Sequence, residues 1–358
     1  MKILFAFNQD LNPYVAVLIR GLEAAGCPVD TGTEKFWAAG PFEPDIVHIQ
    51  WPETLFDWRV PSAIEVEFLR RRLKEVHARA KIVYTRHNEV SHHANEGNAA
   101  ILKELYSLVE SECDVMVHLG EASRRECAAR PELAGKRHVV IPIPVYDELY
   151  APYLGMDGAE ARRRLGLPPD RSIVLAFGNF RYEKEKRLVA GAVSGLRGRR
   201  VCLVAPKWHK AREYSFSPWH PMLALRSARK AVWAWGRGMK LGAKKTMFDE
   251  EVALHFAAAD VVFIQRLDEL NSGNVPMGFL FGKVVAGPDG GNIGEWLRET
   301  GNPVFDAKDP DSVRTALEKA LELSSGDQGK KNRDFAMANW TTRKIGEELA
   351  RLYRSICE

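Results

Sequence analysis

The sequence predicts an α/β protein made of two Rossmann-like domains that face each other across a cleft. Three observations lead there. At 358 residues the chain is about two domains long, taking roughly 150 residues per domain. Short apolar runs alternate with amphipathic helical stretches, the pattern of a parallel sheet wound with helices. The alternation halts at a proline-marked break, Ile141 to Pro144, and then begins again.

In the first half, Ile3–Phe7, Ile46–Ile49, Ile82–Thr85, Val115–His118 and Val139–Ile141 read as buried strands. Tyr14–Gly26, Ile64–Ala78, Ala99–Ser111 and Ser123–Ala129 are the helices between them. After the break, Ile173–Phe177, Val201–Ala205, Val261–Ile264 and Lys283–Ala286 repeat the pattern as a second sheet. The expected domains are residues 1–145 and 165–335. A last helix, Thr342–Ile356, crosses back to the first.

Composition removes several classes. With 46% hydrophobic and 27% charged residues the chain has a core to bury, which excludes disorder. Five scattered cysteines (Cys27, Cys113, Cys127, Cys202 and Cys357) contain no C-x-x-C pair. They speak against a disulfide framework and a zinc site and for a reducing compartment. The opening MKILFAFNQD is too short in its apolar run for a signal peptide. No stretch reaches the roughly 18 uncharged apolar residues of a membrane span. The expectation is a cytoplasmic protein, with a net charge of +4 leaving room for peripheral contact with the inner face of a membrane.

Ligands of such sheets bind beyond the carboxyl ends of the strands, so four loops matter most. The first, Asn8 to Tyr14, has no G-x-G-x-x-G, which counts against a dinucleotide enzyme. Its Asn12 and Tyr14 form a turn and helix entry and are candidates for acceptor or loop contact. The second, Thr85 to His93, gathers His87, Asn88, His92 and His93. His87 is the first candidate for polar chemistry and His92 a weaker one, against the plainer reading of core or solvated histidines. A metal is disfavoured, because no carboxylate or cysteine partner stands at helical spacing.

The third loop, Phe177 to Lys184, and the fourth, Leu270 to Pro276, together suit a diphosphate. Asn271, Ser272, Gly273 and Asn274 open an apolar helix, whose first N–H groups and dipole favour an anion. Arg181 offers a planar fork and Lys184 a point charge. In glycosyl transfer the departing nucleoside diphosphate gains negative charge, and fixed donors aimed at it contribute roughly 3 kcal/mol each in comparable sites. No D-x-D stands where it could hold a divalent ion beside that diphosphate, so neither metal nor other cofactor is expected. The blander alternatives are a solvated charged run, RYEKEKR, and a capped turn, N-S-G-N.

VHIQWPE (Val47–Glu53), TRHNEVSHH, FGNFRYEK and the segment Ala258–Glu295 occur in this order along the chain. In that order they resemble the motifs of GT-B glycosyltransferases of family 4 and related bacterial enzymes that build surface polysaccharides. The resemblance implies a sugar moved from a nucleotide-sugar to a hydroxyl acceptor, a glycan or a polyprenyl-linked one, with retention. It implies that Arg181 and Lys184 hold the donor diphosphate, with Asn271 to Asn274 beside it and Gly290, Gly291 and Glu295 closing the site. One departure is clear. Where the commoner pattern has two glutamates eight residues apart, this chain has Leu270 and Gly278, leaving donor contact to amides and short side chains. A nucleotide-sugar epimerase on the same fold and a non-catalytic relative are the rival classes.

Lys207 to Phe248 stands apart. It carries ten lysines and arginines against one acid, Glu213, together with Trp208, Trp219, Trp233 and Trp235. Such a composition suits an anionic membrane surface, although a nucleic-acid groove would share it and a solvated insertion is the plain alternative. Within the glycosyltransferase frame the membrane is preferred and nucleic acid is not expected.

Overall fold

The computed structural model describes residues 1–8, 12–38, 43–89, 94–196, 199–214, 216–217, 219–267 and 269–358. The chain divides into two compact units: Met1–Pro144 with Trp340–Glu358, and Val145–Asn339.

The first unit runs β1 (Ile3–Phe5), α1 (Pro13–Ala24), β2 (Val29–Thr31), α2 (Thr33–Trp37), β3 (Ile46–Ile49), α3 (Ala63–His77), β4 (Lys81–Arg86), α4 (Ala99–Glu112), β5 (Val115–His118), α5 (Glu121–Ala128) and β6 (Arg137–Val140). Its sheet is parallel, ordered β2-β1-β3-β4-β5-β6. Direction of winding reverses between β1 and β3, so the crevice at their carboxyl ends is this unit's natural ligand position. Helix α3 shows how local sequence makes an element. Ser62 and Glu65 form a reciprocal capping box, and Val66, Leu69, Leu73 and Val76 bury one stripe.

The last helix, α15 (Thr342–Cys357), packs on α1 within this unit. The contact is backbone to backbone: a Cβ on Gly346 would fall on the peptide of Gly21, and one on Gly21 would sit 2.5 Å from the Thr342 carbonyl. Two facing glycines therefore set the approach of these helices.

The second unit runs α6 (Asp147–Tyr150), α7 (Gly158–Arg164), β7 (Ser172–Leu175), α8 (Glu183–Ser194), β8 (Val201–Ala205), α9 (Pro221–Trp235), β9 (Met239–Leu241), α10 (Asp249–Ala258), β10 (Val261–Phe263), α11 (Asn274–Leu280), β11 (Val284–Pro288), α12 (Gly291–Glu299), β12 (Val304–Phe305), α13 (Pro310–Leu323) and α14 (Gln328–Asn339). The parallel order is β12-β11-β10-β7-β8-β9, with the switch point between β7 and β10. Asp260 fastens the start of this sheet, accepting from Arg162 Nη2 at 2.7 Å and from the Ile173 amide at 2.7 Å.

Three edge strands, β2, β9 and β12, escape a reading based on apolar runs, because each has only two or three residues and is partly exposed. Conversely, the runs to Phe7 and Phe177 outlast their ladders, which end at Phe5 and Leu175. Ala6, Phe7 and Ala176 are fully buried there, so hydrophobicity continues where the chain leaves the sheet for the site loops.

Candidate active site

In the second unit the site gathers at the switch point. The loop after β7 passes through Gly178, whose φ of +103° demands glycine. Its Phe177 carbonyl accepts from Asn274 Nδ2 at 2.8 Å and from Gln265 Nε2 at 3.0 Å. Arg181 then reaches across to the loop after β10, where Nη1 donates to Glu269 Oε1 at 2.6 Å. Glu185, buried in the first turn of α8, accepts from the Arg181 amide at 2.6 Å and fixes that backbone.

A second guanidinium stands beside the first. Arg266 is largely buried, and its Nη1 lies 3.8 Å from both Glu185 and Glu269. Among the described residues that nitrogen has no hydrogen-bond partner, and neither does the buried Gln265 Oε1. Burial, and then the charge of Arg181, hold the Arg266 pKa below its usual value. Buried donors are almost always hydrogen-bonded, so a guanidinium nitrogen at the switch point with two carboxylates at 3.8 Å and no hydrogen bond makes Arg266 a candidate for an anion contact.

The other proposed donor residues take distinct places. Lys184, exposed in the first turn of α8, sets its Nζ 5.4 Å from the Tyr182 ring centre. It borders a groove of about 990 Å³ that also reaches Leu267, Asp289 and Gly290. Asn271 Oδ1 accepts from Asn292 Nδ2 at 2.7 Å, and Ser272 Oγ accepts from the Asn274 amide at 3.3 Å. Gly273, exposed, precedes α11, while the Asn274 side chain holds the loops together. Gly290 leaves open space where a Cβ would stand, so its backbone can be approached closely. Gly291 has a φ of +54°, and a Cβ there would meet the Leu270 carbonyl at 2.9 Å. Glu295 is half-buried one turn into α12.

In the first unit the corresponding loops carry an aromatic cluster. His87 is 8% exposed just past β4, stacks on Trp51 at 3.9 Å and meets the edge of Tyr14 at 5.0 Å. Phe7 and Trp58 pack on the same Trp51. Trp58 and its neighbour Asp57 both have left-handed backbone, φ of 62° and 53°, a strained pair that holds this indole 38% exposed.

A buried polar chain governs His87. Burial lowers the His48 pKa to about 3, so that imidazole is neutral. Its Nδ1–H donates to Tyr353 at 2.5 Å, and its Nε2 accepts from Thr85 at 2.7 Å and Gln50 Nε2 at 3.2 Å. Gln50 thereby turns its Oε1 to His87, and His87 Nε2–H donates to it at 2.8 Å. The chain thus fixes the orientation of the His87 ring from behind.

Asn12 caps α1, its Oδ1 accepting from the Tyr14 amide at 2.9 Å, and Tyr14 is buried. Asn88 is half-buried beside Tyr106, whose hydroxyl donates to Glu53 at 3.0 Å. His92 and its neighbour His93 lie outside the described residues. Sequence reasoning missed Arg266, Glu269, Gln265 and Gln50. The signal for Arg266 was present, since it directly follows an apolar strand run, the same logic that singled out Arg181.

Two parallel sheets with these strand orders place the chain in the α/β class with the fold of the GT-B glycosyltransferases. No protein-family model matches it, and no curated protein matches it in sequence. Solved structures do match. Sucrose-phosphate synthase from Thermosynechococcus elongatus is 15% identical, aligned over 99% of this chain and 98% of that one, with a TM-score of 0.66. HepE of Anabaena in complex with UDP is 14% identical over 99% of this chain and 100% of its own, TM-score 0.65. The catalytic domain of starch synthase IV from Arabidopsis thaliana, bound to ADP and acarbose, is 13% identical over 98% and 78%, TM-score 0.61. At these identities the likeness is one of fold.

Proposed function

We propose that this chain transfers a sugar from a nucleoside-diphosphate sugar to a hydroxyl acceptor. The observation that carries the reading is the pair of guanidinium groups, Arg181 and Arg266, at the switch point of the second unit. One of them is buried with a terminal nitrogen that has ion-pair neighbours at 3.8 Å but no hydrogen-bond partner among the described residues. Fold-level neighbours solved with UDP, or with UDP and glucose, support a donor of that kind.

In this reading the diphosphate takes the fork of Arg181, whose Nη1 leaves Glu269, and approaches Arg266 Nη1. Lys184 adds a flanking charge, and the amides around Ser272 and Gly273 add neutral donors. Asn271 and Asn274 hold the loops in register, and Gly290 and Gly291 let backbone come close to the ligand. As the glycosidic bond breaks, charge grows on the leaving diphosphate, and these pre-placed cations stabilise it. They suffice without a metal, and the step is assigned none. Glu295 closes the donor side.

The acceptor belongs to the first unit, a glycan or polyprenyl-linked hydroxyl against the Trp51, Trp58 and Tyr14 surface. His87, its ring oriented by Gln50, orients or accepts the hydroxyl proton. Asn88 and Asn12 shape the adjoining loops. The family-4-like motifs support retention and a role in building surface polysaccharide, and five free cysteines support a reducing, cytoplasmic setting.

The test is thermal stability against UDP-, GDP-, TDP- and ADP-sugars, with and without EDTA, for wild type and Arg181→Ala. A ligand at about 100 times its Kd adds roughly 2.7 kcal/mol. A shift with one nucleotide class, indifferent to EDTA and lost in the variant, supports the reading. No shift with any nucleotide overturns it, and a shift abolished by EDTA overturns the metal-free part.

A further inference from the structure

A surface helix of a globular domain ordinarily turns its large apolar residues inward. Helix α9 does the reverse. Its buried positions are Ser227 and Ala234, with Leu223, Ala224, Ala228 and Ala231 half-buried beside them, so one leucine and otherwise small residues face the unit. Outward it presents Met222 (73% exposed), Leu225 (58%), Val232 (69%) and Trp235 (81%), and Trp219 just before it is 86% exposed. Met222, Leu225 and Val232 recur at three- and seven-residue spacing, so they form one stripe. Leu223 and small residues hold the helix to its unit, and the exposed apolar area is left for something else.

The charges on that face are all of one sign. Arg229 lies within the stripe, and Arg226 and Lys230 lie along its edge. The Arg237 guanidinium sits 4.4 Å over the Trp233 ring. Glu213 is the lone acid between Lys207 and Phe248. Aliphatic side chains between cations, with tryptophans at both ends, match an anionic bilayer surface. There the aliphatics enter the acyl boundary, the indoles lie at headgroup depth and the cations meet phosphate. A single-stranded nucleic acid could stack on the indoles but would leave the exposed Met222, Leu225 and Val232 between them without partners, whereas acyl chains cover all of them. Self-association would set Arg229 against a second Arg229.

We propose that this face of α9 docks the protein, lying in the plane of the interface, on a membrane surface bearing anionic lipid. No helix among the described residues is long and apolar enough to cross a membrane, so the contact is peripheral. The inference is independent of the glycosyl-transfer reading.

The full chain is co-sedimented with vesicles of phosphatidylcholine alone and of phosphatidylcholine with phosphatidylglycerol, at low and high salt. Binding should be at least about tenfold tighter to the anionic vesicles and weaken with salt. Trp219→Ser with Trp235→Ser should reduce it about tenfold, and Arg226→Glu with Arg229→Glu should remove the anionic preference. Circular dichroism and the melting temperature of each variant establish that it is folded. Equal binding of folded wild type and variants, or none by wild type, overturns the proposal. So does capture of a single-stranded RNA oligonucleotide that the same substitutions abolish and anionic vesicles do not compete away. A nucleotide-sugar shift that fails while vesicle binding succeeds would overturn the transfer reading alone.

Discussion

Asn274 donates from Nδ2 to the Phe177 carbonyl at 2.8 Å, joining residues ninety-seven apart in the chain. Through this bond the loop after β7, which carries Arg181, and the start of α11 become one surface. Asn274→Ala leaves that carbonyl with Gln265 alone. A loss of about 1 kcal/mol is expected in urea unfolding, with a smaller nucleotide-induced thermal shift.

In the proposed reading, Arg181 is the group that takes the leaving diphosphate. Arg181→Ala is expected to lower kcat/KM by about 10²- to 10³-fold, the range for losing one transition-state donor. Arg181→Lys keeps the charge without the fork and should fall between. Steady-state kinetics with the donor identified by thermal shift decides the matter, and equal activity of all three proteins would remove Arg181 from the mechanism.

His87 should affect transfer without affecting donor binding. His87→Ala is expected to reduce the transfer rate by about 10²-fold or more while leaving the nucleotide-induced shift unchanged. Gln50→Leu, which removes the partner of His87 Nε2, should reproduce part of this loss and distort the pH profile of kcat. A Gln50 variant with a wild-type profile would show that the buried chain does not set the tautomer.

Two buried histidines give the fold an acid limit. Burial lowers His48 to about 3, and burial followed by the neighbouring His138 lowers His118 to about 3. Their unfolded value is about 6.5. The unfolded chain therefore binds more protons below that value, and stability is full above it and falls as pH drops toward about 3. Each histidine contributes a slope of about 1.4 kcal/mol per pH unit in that window. Denaturant unfolding between those limits should show it, and replacing His118 with a neutral polar residue should flatten it.

Gly21 and Gly346 leave no room for a methyl group between α1 and α15. Gly346→Ala should destabilise the first unit by about 1–3 kcal/mol as the helices are forced apart. Chemical unfolding measures this, and an unchanged midpoint would show that α15 can shift at no cost.

Much of the architecture was legible from residue order alone. Runs rich in Val and Ile marked the strands at Ile46–Ile49, Val115–His118 and Val201–Ala205 as they stand, because a strand covered on both faces is predominantly apolar. Arginine and asparagine in the loops after such runs singled out the candidate site loops. What sequence could not supply was the partner of each group. That Arg181 meets Glu269, that Arg266 is buried with a nitrogen unsatisfied, and that Gln50 links His48 to His87 depend on which strand ends become neighbours. The same holds for α9: its composition announced a basic, tryptophan-bearing segment, but only packing decided that the alanines and Leu223 face in while Met222, Leu225, Val232 and Trp235 face out. Local patterns determine which elements form, since they depend on residues a few positions apart. Charge pairing, tautomer and exposure depend on contacts between distant residues, and those exist only once the chain has folded.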